Sequence, residues 1–164
     1  MVEFSSVGHV AIKTSDIERS LDFYVRQLGF SEMLRLHYSD DSLFLIYLRV
    51  TDTQYLELFP HGIGDRAPDR DAVALNHFCL IVDNIDHTLR QIAQAGIALT
   101  RELKTGADGN RQAWIEDPDG NRIEIMELAS NCMQFEALKG LRAGTKPIVK
   151  VTDVPSPKSL APSG

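Results

Sequence analysis

The chain has 164 residues, 43% hydrophobic and 24% charged, the balance of a globular protein that forms one compact domain or two small modules. A net charge of −6 leaves no general basic surface for phosphate backbones, which argues against nucleic acid as a partner. No apolar run reaches the length of a membrane span, and the N-terminus lacks the basic start and apolar centre of a signal peptide. Cys79 and Cys132 form no CxxC. Together these features predict a cytoplasmic protein with reduced thiols and no membrane partner.

From the N-terminus, residues 5–13 alternate as a strand, with Val7, His9, Ala11 and Lys13 on one face. Ser15-Asp16-Ile17-Glu18 has the pattern of a capping box, and Ile17, Leu21, Tyr24, Val25 and Leu28 then recur at helical spacing up to Gly29. Three strands are predicted next, over 31–38, 42–50 and 54–59, separated by polar turns. Residues 60–72, rich in Pro, Gly and Asp, carry no apolar period and read as a linker.

The pattern then starts again. A strand is predicted over 73–82, a helix capped by Asp83 or Asn84 over 84–95, and strands near 97–103, 111–116 and 122–128. Asp117-Pro118-Asp119-Gly120-Asn121 forms the hairpin turn before the last of them. His9 and His77 lie 68 positions apart, and so do Ile17 and Ile85, and Leu21 and Leu89. Gly29 and Gly96 are 67 apart, so one residue is missing between Leu89 and Gly96. The shorter offset then persists, placing Tyr55-Leu56-Glu57-Leu58-Phe59 on Arg122-Ile123-Glu124-Ile125-Met126. The chain is a duplicated βαβββ unit: residues 1–59, a linker 60–72, residues 73–128, and an extension 129–164. Within the extension a short helix is expected over 133–141, and residues 153–164 read as flexible.

Each copy carries one His and one Glu in an apolar strand. Singly, a strand His is usually just hydrogen-bonded and a strand Glu usually faces water. As repeat-related pairs they are different, because a carboxylate on a covered face is costly unless paired or metal-bound. His9, Glu57, His77 and Glu124, meeting in one cavity, would give nitrogen and oxygen donors suited to a divalent transition metal. Arg111 and Arg122 are candidates for gripping a substrate carboxylate or phosphate, and Trp114 reads as core.

The chain resembles the vicinal oxygen chelate superfamily, which includes glyoxalase I, bleomycin-resistance proteins and extradiol dioxygenases. The resemblance spans roughly residues 5–128. It rests on Gly8-His9-Val10-Ala11-Ile12, Ser20-Leu21-Asp22-Phe23-Tyr24 with Leu28-Gly29-Phe30, Tyr55-Leu56-Glu57-Leu58, Asn76-His77-Phe78 and Asp117–Glu124. It implies an α+β fold of two βαβββ modules whose curved sheets surround a metal-binding crevice. His9, Glu57, His77 and Glu124 would be the ligands of Ni, Co, Zn or Mn. A His-Glu-His-Glu set is most similar to bacterial glyoxalase I.

The implied activity is that of a lyase or isomerase acting on a small molecule. It would move a proton next to a carbonyl through a metal-bound enediolate, with Glu124 or Glu57 as the base. The alternatives are an epimerase of the same superfamily and a metal-free binding protein of the bleomycin-resistance type. In glyoxalase I a basic residue shortly after the first His and an Asn just after the first Glu help hold glutathione. Here those neighbourhoods read Lys13 and Phe59-Pro60-His61, which predicts that glutathione is a poor co-substrate. A homodimer is expected, because open curved sheets leave edges that a second copy can cover. Met133–Leu141 and Ile148–Val154 are natural additions to its interface.

Overall fold

In the computed structural model, which describes residues 2–145, the duplication is visible as two four-stranded sheets. The first holds β1 (His9–Lys13), β2 (Ser31–His37), β3 (Leu43–Arg49) and β4 (Tyr55–Phe59) in the order β1-β4-β3-β2. The second holds β5 (Phe78–Ile81), β6 (Arg101–Thr105), β7 (Arg111–Glu116) and β8 (Arg122–Glu127) in the matching order β5-β8-β7-β6. In both, the first and last strands pair parallel and the other neighbours pair antiparallel. The α+β architecture and the two βαβββ units are those expected.

Alternation along the strands sorts core from site. Leu56 and Leu58 of β4, and Ile123 and Ile125 of β8, are buried in the hydrophobic core with Ile46, Leu48 and Ile115. Glu57 and Glu124, one residue out of step, point to the opposite face of each sheet.

The helices differ from expectation in an informative way. In the first module, α1 (Ile17–Leu21) runs on as a π-helical segment, Asp22–Gln27, in which the Leu28 amide donates to the Phe23 carbonyl at 2.9 Å. In the second, α2 (Ile85–Gln94) is an ordinary α-helix. A π turn is how a helix absorbs one extra residue. The 68-to-67 change of offset is therefore located in the helix, where the first copy holds its additional residue as a widened turn. The widening also turns Phe23 inward beside Tyr24, so both are buried, whereas α-helical spacing had pointed only to Tyr24.

The first helix is capped by Asp16, whose side chain accepts from the Glu18 and Arg19 amides at 3.1 Å each. No capping box forms, because Ser15 instead donates to Asp119 in the other module. Asn84 caps α2 through the His87 amide, and Glu127 accepts the Ile85 amide at 2.7 Å, so Glu127 is a half-buried helix anchor.

β5 is also shorter than the predicted strand. Arg122 donates to the Asn76 carbonyl at 2.7 Å and to the Pro68 carbonyl at 3.1 Å, which holds residues 73–77 to the linker instead of the sheet. His77 consequently sits immediately ahead of β5.

After β8, α3 (Met133–Arg142) is pinned to the β6–β7 turn. The buried Asn110 donates to Asp108 and Gln134 and accepts the Ala129 amide. Phe135, Leu138 and Leu141 of α3 remain exposed. The stretch 148–154 named for the interface, and the tail 153–164, lie outside the described residues.

Candidate metal centre

Each module builds one half of a donor set. His9, at the start of β1, brings Nε2 to 3.7 Å from Oε2 of Glu57, and His77 brings Nε2 to 3.4 Å from Oε2 of Glu124. Both carboxylates are buried, with 6% and 8% of their surface exposed. Neither meets a Lys or Arg among the described residues. Buried charge of this kind needs compensation. A divalent ion would supply it: two ligands each about 2.1 Å from one ion lie roughly 3 to 3.5 Å apart, close to the spacing of both pairs.

His77 is oriented for the task. The Asn76 amide donates from Nδ2 to the Arg70 carbonyl at 3.0 Å, which turns its oxygen toward His77 Nδ1 at 2.8 Å. An amide oxygen only accepts, so Nδ1 carries a proton and Nε2 is the nitrogen turned toward Glu124. His9 has no such partner among the described residues and is more exposed, with 52% of its side chain accessible against 33% for His77.

Around each Glu the neighbours are specific. Tyr47 is the register partner of Glu57, and the nearby carboxylate raises the Tyr47 pKa. Trp114 is the register partner of Glu124 and packs edge-on against His77, ring centroids 4.7 Å apart. Trp114 is thus a half-buried wall of the site rather than part of the core. The Arg101 guanidinium lies over its indole at 5.7 Å. Cys79 is the register partner of Glu124 on β5; burial, followed by the nearby carboxylate, pushes its thiol up to about 12.

The two halves do not meet within one chain. No group of three or more His, Cys, Asp or Glu side chains comes together among the described residues. Two crevices lie instead along the seam between the modules, at positions the repeat relates. One of 380 Å³ is lined by Lys13, Arg66, Asn76, His77 and Arg122. The other, of 280 Å³, is lined by His9, Val10, Tyr55, Phe78, Cys79 and Leu80.

Of the two arginines proposed for substrate, Arg111 is bound to Asp86 at 2.8 and 2.9 Å, with Glu127 at 3.6 Å, where it braces α2. Arg122 lines the larger crevice, with two of its nitrogens committed to carbonyls of the linker side.

Comparison with known proteins agrees with this fold. Residues 6–125 match the family model described as Glyoxalase/Bleomycin resistance protein/Dioxygenase superfamily. The chain belongs to that superfamily. It is 32% identical over 124 residues to the lactoylglutathione lyase of Escherichia coli O157:H7, covering 73% of this chain and 90% of that protein. It is 28% identical over 124 residues to the uncharacterised protein YwkD of Bacillus subtilis, covering 74% of this chain and 96% of the relative. Among solved structures, a glyoxalase family protein from Enterococcus faecalis superposes with a TM-score of 0.66 at 27% identity, over 76% of this chain and 98% of that one.

As a member of the glyoxalase superfamily, the chain presents its His and Glu residues on the open faces of its two modules. Sequence reasoning missed Tyr47 and Asn76 as parts of the site. Tyr47 was legible, since it lies 67 positions before Trp114 and falls on the same repeat offset as the two Glu. Asn76 had no such signal, because its role depends on a contact with the linker.

Proposed function

We propose that the protein is a metal-dependent lyase or isomerase of the glyoxalase type, and that its centre is completed between two copies of the chain. The observation that carries this reading is the pair of buried, repeat-related His–Glu half-sets, each without a Lys or Arg partner among the described residues and each short of a full ligand set. In a twofold dimer, His9 and Glu57 of one copy would face His77 and Glu124 of the other, making two four-donor centres. The likeness to a lactoylglutathione lyase supports the same class of chemistry.

The residues have distinct parts in it. His9 and His77 hold the ion, with His77 aimed by Asn76. A divalent ion at this position polarises the oxygens of a 2-oxo or 2-hydroxy compound. Glu124 takes the proton from the carbon beside the carbonyl and returns it one carbon away. It can do so only when loosened from the metal, because a metal-held carboxylate is too weak a base. Glu57, with Tyr47 as its register partner, stays on the ion as a ligand.

Metal uptake and mass test the proposal together. Protein expressed with ample metal should retain one divalent ion per chain and scatter light as a dimer, near twice 18.3 kDa. No bound metal, or a monomer that binds metal with full affinity, would overturn it; absence of metal would favour sequestration of a small molecule instead.

A further inference from the structure

The modules are joined by a buried polar contact that exists on one side of the seam only. On that side, the turn Asp117–Asn121 of the second module meets the β1–α1 junction of the first. Asp119 accepts from Thr14 Oγ1 and Ser15 Oγ at 2.5 Å each, from the Ser15 amide at 3.3 Å and from Arg19 Nη2 at 3.0 Å. Asp117 accepts from the Tyr24 hydroxyl at 2.8 Å while its other bonds, to the Asp119 and Asn121 amides and the Asn121 side chain, shape the turn. Thr14 and Tyr24 are fully buried, and the two aspartates nearly so.

The linker is drawn into the same joint. The Ala67 amide donates to the Asp119 carbonyl at 2.7 Å, and the Gly62 amide to the Thr14 carbonyl at 2.8 Å. Gly120, at φ +80°, has no Cβ, and one placed there would lie 2.7 Å from Cγ of Arg66.

Among the described residues, the repeat-related side carries no such joint. Asp52 falls 67 positions before Asp119, yet it pairs with Arg49 of its own module and leaves 87% of its side chain exposed. Buried, directional, charge-assisted bonds resist sliding in a way an apolar seam does not. The joint is also close to the donors, since Asp119 stands five residues before Glu124 and Thr14 five after His9.

We infer that Asp119 and Asp117 are positioning residues: by locking the second module's turn onto Thr14, Ser15, Arg19 and Tyr24, they fix the angle between the His9–Glu57 and His77–Glu124 half-sites. This rests on the proposed dimer-completed centre. Both centres of a twofold dimer close at once only if the intra-chain angle is correct, so an error there is felt at both.

Asp119→Asn tests the inference, with Asp52→Asn as the control at the repeat-related turn. Nitroxides attached after Asp40→Cys and Glu102→Cys, one exposed position in each module, report the inter-module distance by pulsed electron resonance without any metal. A Cys79→Ser, Cys132→Ser background checks for labelling of the native thiols. Cobalt(II) alone then serves as the probe of the centre, by calorimetry and by its visible absorption.

The expected result is a broader distance distribution in Asp119→Asn, a cobalt affinity weaker by about tenfold or more, and altered cobalt absorption. Asp52→Asn should match the parent in all three. A distribution as narrow as the parent's in a folded Asp119→Asn protein overturns the inference, as does a broadened one with undiminished cobalt affinity. If the parent itself binds no cobalt, the metal reading fails, and the distance measurement alone decides whether the aspartates set the angle.

Discussion

Tyr47 and Trp114 occupy the same place in the two modules, each directly across the strand pair from a carboxylate, Glu57 in one and Glu124 in the other. The duplication has kept an aromatic wall beside each acid while changing what that wall can do. Tyr47 offers a hydroxyl to Glu57. Trp114 directs its ring nitrogen to Gln112 at 3.3 Å and gives His77 an aromatic edge.

Trp114 is the only tryptophan in the chain, so intrinsic fluorescence reports on one half-site. Titration with nickel or cobalt should quench it with a single saturable transition. His77→Ala should remain folded and lose both the quenching and the bound metal. Full quenching in that variant would remove His77 from the ligand set.

Tyr47→Phe deletes the hydroxyl and leaves the ring. Glu57 then loses the hydroxyl beside it, and metal affinity should fall about 10- to 100-fold, the usual range for a group supporting a ligand. The melting temperature should change little, since Tyr47 is only half-buried. Calorimetric titration of the variant beside the parent protein decides the matter.

Glu124→Gln keeps an oxygen for coordination but cannot accept a proton. Turnover should drop by about 10² or more while the circular dichroism spectrum stays the same. Exchange of the substrate's proton next to the carbonyl into heavy water is the direct readout, and an unchanged exchange rate would assign the base elsewhere.

Glutathione should be a poor co-substrate. A kcat/KM of roughly 10⁴ M⁻¹s⁻¹ or more on the methylglyoxal–glutathione adduct, the range of ordinary enzymes, would contradict that.

The module joint predicts an acid limit. Burial raises the Asp119 carboxyl, but hydrogen bonds from Ser15 and Thr14 and the charge of Arg19 outweigh it and hold the group below its ordinary 3.8. A carboxyl whose folded value is depressed stabilises the fold above its unfolded value, and that stability is lost as pH falls through the folded one. Asp117 is shifted upward by burial, despite donors from Asn121 and Tyr24, so its own contribution has the opposite sign. Asp119→Asn should therefore be less stable than the parent at pH 7 by about 1–3 kcal/mol. The gap should narrow below about pH 4. Melting curves of both proteins between pH 3 and 7 measure it, and a gap constant with pH would exclude ionised Asp119 as its cause.

Much of this was legible because duplication doubles every signal. A lone Glu57 says little, but Glu57 and Glu124 at one offset, each between buried leucines or isoleucines, give both the strand face and the donor. The helix expected over 84–95 was read correctly because nothing interrupts α2. Three things were not legible. Asp16 displaced Ser15 as the cap because Ser15 has a partner more than 100 residues away. β5 was cut short where Arg122 bonds both the Asn76 carbonyl and, in a linker with no periodicity, that of Pro68. The four donors stand as two pairs because donor spacing along a chain carries no information about how two modules tilt.

The π-helical segment Asp22–Gln27 has a consequence for how a duplicated chain came to have only one way of closing. Two identical copies could in principle dock through either of two equivalent corners, and a chain free to use both would populate two shapes. One additional residue in the first helix packs Phe23 inward against Tyr24, whose hydroxyl meets Asp117. The second helix, one residue shorter, presents no counterpart. A single insertion thus acts as a key, giving a nearly symmetric pair of modules a left and a right.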